Sequence, residues 1–139
     1  KDRTKGYIKA LEAHQIPLNE SLILRLPSMD VEEKAFEDFF SDQEVDAVLC
    51  VNEIFAIHAM RLVQLQGKKI PQDISFIGFT DGLLSKYAMP SLTAIAQHGE
   101  LMGEEAAKLL IEKVETQEDE MTSHTTILQP TLIERESTL

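Results

Sequence analysis

The stretch Asp46 to Arg61, DAVLCVNEIFAIHAMR, constrains this chain more than any other. Its first part, Ala47 to Val51, is apolar without alternation, and a strand reads that way when both its faces are covered, as in the parallel sheet of an α/β domain. The second part carries apolar residues at helical spacing, so strand passes to helix across a single polar residue, Asn52. Ligands of open parallel sheets bind in the crevice beyond the carboxyl ends of the strands. Asn52 is therefore a binding candidate on geometry, and equally a helix cap, since Asn satisfies orphan amides well at an N-terminus. The motif alone leaves both roles open.

Taken in order, the chain alternates helix and strand signals. Tyr7, Ile8, Ala10 and Leu11 mark a first helix over residues 3–15, which Pro17 stops. An α/β domain that opens on a helix lacks the strand that feeds it, so the domain is expected to begin upstream of Lys1. Ser21 to Leu26 reads as a short strand. Ser28 to Asp30 offers caps for a second helix with Val31, Ala35, Phe36, Phe39 and Phe40 inward. The helix after Asn52 turns Phe55, Ala56, Ala59, Met60, Leu62 and Val63 to one side and closes at Gly67. Its other side still carries Ile54, Ile57 and Leu65 beside His58, Arg61 and Gln64, a second face that a subunit interface would cover.

A second buried-type strand ends at Phe79, with Gly78 marking a close backbone approach, and a third, Ser91 to Ala96, ends at Gln97. Three strands thus end in polar residues: Asn52, then Thr80 and Asp81, then Gln97. One such end is a turn, and Asp81-Gly82 is a common turn pair; three at one edge outline a crevice for a small polar molecule. A further helix, Gly99 to Val114, presents Met102, Ala106, Leu109, Leu110 and Val114. An acidic connection, Glu115 to Glu120, leads to a last strand, Thr125 to Glu134, and Pro130 within it argues for a sheet edge or a bulge.

Composition narrows the function. Thirteen basic against 24 acidic residues give a net charge of −11, which repels a phosphate backbone, so the chain is not expected to bind nucleic acid itself. No apolar run is long enough for a membrane span and the N-terminus lacks a signal-peptide core, so a cytoplasmic, soluble protein is expected. Cys50 lies in the apolar strand as core filler. HExxH, GxSxG, GxGxxG and GxxxxGK[ST] are absent, and His14, His58, His98 and His124 lack metal-ligand spacing. Neither a metal nor a cofactor is expected. A catalytic pair such as Asp81 and His98 could be assembled only in space, and the chain is expected not to be an enzyme.

RTKGYIKAL, DAVLCVNEIFAIHAMRLVQLQGKKIPQDISFIGFTDG, PSLTAIAQHGELMGEEAAKLLIE and LQPTLIERESTL, in that order, resemble the LacI/GalR family of bacterial transcriptional regulators. The resemblance implies an α/β fold of the type I periplasmic-binding-protein kind, with a parallel sheet and helices on both faces, of which this chain supplies mostly the carboxy-terminal lobe. It implies residues 1–97 and 122–139 in that lobe, and a helix within 98–121 that packs on an amino-terminal lobe absent from the chain or, failing that, on another copy. A periplasmic sugar-binding protein of a transporter shares the fold and is the alternative.

Residue by residue, Arg3 matches the arginine of an RxxGF pattern, Asn52 the asparagine of an ND pair, and Gln97 the glutamine at the lobe crossing. With Thr80 and Asp81 these are the expected contacts to a sugar-like effector. Glu53 stands where the family pattern has aspartate, and GFTD replaces GFDD, so Thr80 brings a hydroxyl in place of a carboxylate. The resemblance further implies a homodimer through Ile54, Ile57, Arg61, Leu65, Tyr87 and Met89, with the loop Leu84 to Met89, and DNA binding only through a headpiece outside this chain.

Overall fold

The computed structural model describes residues 2–28, 30–115 and 125–139. Helices α1 (Asp2–Ala13) and α2 (Glu33–Asp42) precede strand β1 (Ala47–Cys50), followed by α3 (Glu53–Leu65), β2 (Ser75–Phe79), α4 (Leu83–Tyr87), β3 (Thr93–Ala96), α5 (Gly99–Glu115) and β4 (Thr131–Ile133). The sheet order is β1-β2-β3-β4. The first three strands run parallel, in register from Ala47 opposite Ser75 and Ile77 opposite Thr93. β4 pairs antiparallel with β3 at the edge, which is where a strand that starts just after Pro130 can sit without losing a ladder bond. It is shorter than the expected 125–134. Residues 116–120 of the acidic connection, His124 and the 121/122 lobe boundary lie outside the described residues.

The core forms where α3 lies on the sheet. All six residues expected on its inner face, Phe55, Ala56, Ala59, Met60, Leu62 and Val63, are buried, with Phe36 and Phe40 of α2 and Cys50, Ile74, Phe76 and Leu92 against them. The helix ends as the glycine predicted. Gly67 has φ +85°, and Gly67 N–H bonds Gln64 O while Lys68 N–H bonds Val63 O, the paired bonds of a Schellman motif. The first helix stops the same way without glycine, at Gln15 with φ +57°, through bonds to Glu12 O and Leu11 O, before Pro17 is reached.

Three local expectations change. Ser21 to Leu26 is not a strand: Glu20–Leu22 is a 3₁₀ turn because Asn19 Oδ1 accepts from Ser21 N–H and from its hydroxyl, a local alternative to a ladder. Leu24 and Leu26 still pack on the core. The cap of α2 is Glu32 without a side-chain bond, since the Ser28 hydroxyl donates to Asp30 and takes Asp30 N–H instead, and Val31 stays exposed. β1 is covered on one face only. Cys50 is buried beneath α3, whereas Leu49, on the alternate face, is 45% exposed.

Residues 135–138 lock the sheet at the amino ends of its strands. The buried Ser137 hydroxyl donates to Phe76 O and accepts from Thr93 N–H, while its backbone bonds Phe76 N–H and Ser91 O. Every polar group drawn into that spot is satisfied, as burial requires.

Gly78 is the tightest point between sheet and helix. A Cβ there would stand 2.9 Å from Leu92 Cδ2 and 3.4 Å from Ala56 Cβ. Gly78→Val is expected to lower stability by about 1–3 kcal/mol in urea unfolding; unchanged stability would show that α3 is free to move off the sheet. Burial pushes the Cys50 thiol up to about 12. Near the ordinary thiol pKa of about 8.5, a disulfide reagent should leave native Cys50 intact and label it on denaturation.

Candidate functional site

The parallel register puts the ends of β1, β2 and β3 at one edge, with Cys50 opposite Gly78 and Phe79 opposite Ile95. Asn52, Thr80, Asp81 and Gln97 follow those ends directly. The first helix delivers Arg3 to the same edge. Its Nη1 donates to Val51 O, and the guanidinium carbon lies 4.3 Å from the Phe79 ring centroid, within cation–π range. Arg3, Asn52 and Thr80 therefore meet at the carboxyl ends of β1 and β2.

Asn52 does cap α3. Its backbone is extended, and Oδ1 accepts Phe55 N–H at 2.7 Å. Because the partner is a donor, the oxygen must face it, and this fixes the amide orientation. Nδ2, with two hydrogens, has no partner among the described residues. The cap thus uses Oδ1 and leaves Nδ2 for the expected binding role.

Glu53 has a role that the sequence did not reveal. Its carboxylate accepts from Ser85 N–H at 3.3 Å and from the Ser85 hydroxyl at 3.0 Å, latching the start of α3 to α4. Ser85 is fully buried, and its single hydroxyl hydrogen is shared between Glu53 and Thr80 O, which lies 3.1 Å away. Gly82 permits this latch, since a Cβ there would overlap the Glu53 carboxylate. The loop carrying Thr80 is held from both directions, with Thr80 N–H bonded to Ile95 O.

Thr80 adopts φ +78°, which a β-branched side chain resists. Such strain costs on the order of 1–3 kcal/mol and is concentrated at functional sites. The side chain is left exposed at the edge. Asp81, expected beside it, is tied up elsewhere. Its carboxylate pairs with Arg135 Nη2, and the same guanidinium donates to Leu92 O at 2.7 Å, which anchors Asp81 to the base of β3. Arg135 lies 54 residues away, and no local pattern announced the pair.

Gln97 faces a space that borders the same Phe79 ring on which Arg3 stacks. It lines an open cavity of about 430 Å³ with Phe79, Met102, Ala106, Leu109 and Leu128 among the walls. That cavity lies under α5, a helix with no buried residue, and its walls are mainly apolar. It suits the covering of a helix face better than the capture of a polar ligand, for which the donors at Arg3, Asn52 and Thr80 are the stronger signal. His98 bonds Thr131 Oγ1 at 2.8 Å, so Asp81 and His98 are each engaged with other partners. No group of three or more His, Cys, Asp or Glu among the described residues is arranged to hold a metal, and no described helix is long and apolar enough to cross a membrane.

The residues expected at a subunit contact are mostly outward. Leu65 is 71%, Tyr87 82% and Met89 85% exposed, and Ile54 and Arg61 are exposed as well. Ile57 is half-buried and packs on the core. Gln64 Nε2 donates to Met89 O, which holds the loop after α4 against α3.

Comparison with known proteins agrees with this architecture. Residues 1–138 match the family described as periplasmic binding protein-like domain. The HTH-type transcriptional repressor PurR of Yersinia pestis bv. Antiqua is 32% identical over 137 residues, covering 97% of this chain and 40% of PurR. The CelR–cellobiose complex, a transcriptional regulator, superposes with a TM-score of 0.82 at 28% identity over 97% of this chain and 41% of that one. A LacI family regulator from Enterococcus faecium with bound ribose gives a TM-score of 0.78 at 29% identity, over 98% of this chain and 50% of that one. The chain spans 31–40% of the length of the regulators it matches in sequence, and these relatives are transcriptional regulators, not enzymes. A mostly parallel sheet, polar residues beyond its carboxyl edge and a family match along nearly the whole length lead to one assignment: the chain belongs to the periplasmic binding protein-like domain family, and the relatives it resembles are LacI-type transcriptional regulators.

Proposed function

We propose that this chain is most of the carboxy-terminal lobe of the sensor in a LacI-type regulator, and that a small polar molecule of sugar-like size binds at its carboxyl edge, against a second lobe. The observation that carries the reading is the convergence of Arg3, Asn52 and Thr80 on one edge with hydrogen-bonding groups still unspent. Relatives of the same fold are described with cellobiose and with ribose bound, which supports a ligand of that class here. Helix α5, with Leu110, Ile111 and Val114 exposed, is the surface on which the second lobe packs in this reading. Two copies pair through Ile54, Leu65, Tyr87 and Met89. Ligand then favours the closed arrangement of the lobes by its differential affinity, and the pairing passes that bias to DNA-binding segments outside the chain.

Asn52 offers a clean test, because Asp also caps a helix but has no amide hydrogens. In the full-length protein, Asn52→Asp is expected to leave the unliganded melting temperature nearly unchanged and to weaken a ligand found by thermal-shift screening at least about tenfold. Asn52→Ala should lose the ligand and about 1 kcal/mol of stability. Equal ligand response in wild type and Asn52→Asp would remove Asn52 from the site. For the pairing, Tyr87→Glu combined with Met89→Glu should convert a dimer to a monomer in sedimentation equilibrium with the fold intact by circular dichroism. A dimer that persists would place the contact elsewhere.

A further inference from the structure

The donors and acceptors at the carboxyl edge are unbalanced, and the imbalance bears on ligand charge. Arg3 spends one N–H on Val51 O and stacks on Phe79. No carboxylate is seen paired with it among the described residues, whose ion pairs include Lys5–Asp2, Arg25–Glu20, Lys108–Glu105 and Arg135–Asp81. Asn52 presents Nδ2 and Thr80 a hydroxyl. The two nearby carboxylates are committed: Asp81 to Arg135, and Glu53 to Ser85, at the positive N-terminal end of α3. The edge thus offers a planar guanidinium with no carboxylate partner and a free amide donor, while its two carboxylates are each held by groups of the fold through one oxygen.

Neutral polyols are rich in O–H donors and are held well by charged acceptors. An oxyanion brings the complement, since a guanidinium fork matches a carboxylate or phosphate with two parallel hydrogen bonds. Resting on the sensor reading above, we propose that the ligand of this edge carries a terminal oxyanion, as in a sugar acid or a sugar phosphate, received by Arg3 with Asn52 and Thr80 beside it. The net charge of −11 opposes this only at a distance. At physiological salt its field decays over roughly 8–10 Å, whereas Arg3 acts at contact.

The test is isothermal titration calorimetry of the full-length protein against matched sets: glucose, gluconate and glucose 6-phosphate; ribose and ribose 5-phosphate. At least one anionic member is expected to bind tenfold or more tightly than its neutral parent, the two anion types showing whether carboxylate or phosphate is received. Arg3→Gln should abolish that preference while melting as wild type does. Thr80→Asp should reverse it, and it should fold, because Asp tolerates positive φ better than Thr. A neutral sugar bound as tightly as its acid and phosphate would overturn the oxyanion assignment and leave the sensor reading standing. If no member binds, both fall.

Discussion

Helix α3 can lie against β2 because residue 78 has no side chain. With Leu92 well inside van der Waals distance of where a Cβ would be and Ala56 in contact with it, any larger residue would lift the helix or displace a fully buried leucine. The closeness matters beyond packing. It holds the start of α3, and so Asn52 and Glu53, at the edge where β2 hands over to Thr80, and it brings α4 near enough for Glu53 to reach Ser85. The buried alanines Ala56 and Ala59 continue the same close fit, which a dense interior rewards through many small dispersion contacts.

On that frame the polar groups divide into spent and unspent. Asp81, Arg135, Glu53, Ser85 and Ser137 are all engaged with one another or with backbone, and they fix the loops after β2 and before β3. Arg3, the amide of Asn52 and the hydroxyl of Thr80 keep capacity at the strand ends. Thr80 is the least relaxed of these, a β-branched residue at φ +78° held by backbone bonds on both sides. The rigid groups are the means by which the unspent ones are presented, an arrangement suited to binding without large reorganisation.

Much of this was legible in the sequence. The apolar run into Asn52, the six-residue inner face of α3 and the stop at Gly67 are encoded within a few residues, where helical and strand periods apply. Gly78 announced its close approach, and the polar residues at three strand ends predicted a shared edge that parallel pairing supplies. What was hidden depends on partners far along the chain. Asp81 reads as a site residue until Arg135 arrives from 54 positions away, and Glu53 reads as a mild replacement until Ser85, 32 positions on, engages it. Ser21 to Leu26 misled through composition, since the apolar spacing fits a strand but Asn19 offers the backbone a nearer bond. The open face of Leu49 was equally invisible, because an apolar strand residue does not say what covers it.

The proposed ligand site is the polar edge at Arg3, Asn52 and Thr80, and the main alternative is the apolar cavity under α5. Chemical-shift mapping of the isotopically labelled full-length protein during ligand titration separates them most directly. The largest changes are expected at the backbone amides of Asn52 and Thr80, the Asn52 side-chain amide and the Arg3 guanidinium. Changes centred on Met102, Leu109 and Leu128, with the strand-end residues unmoved, would contradict it.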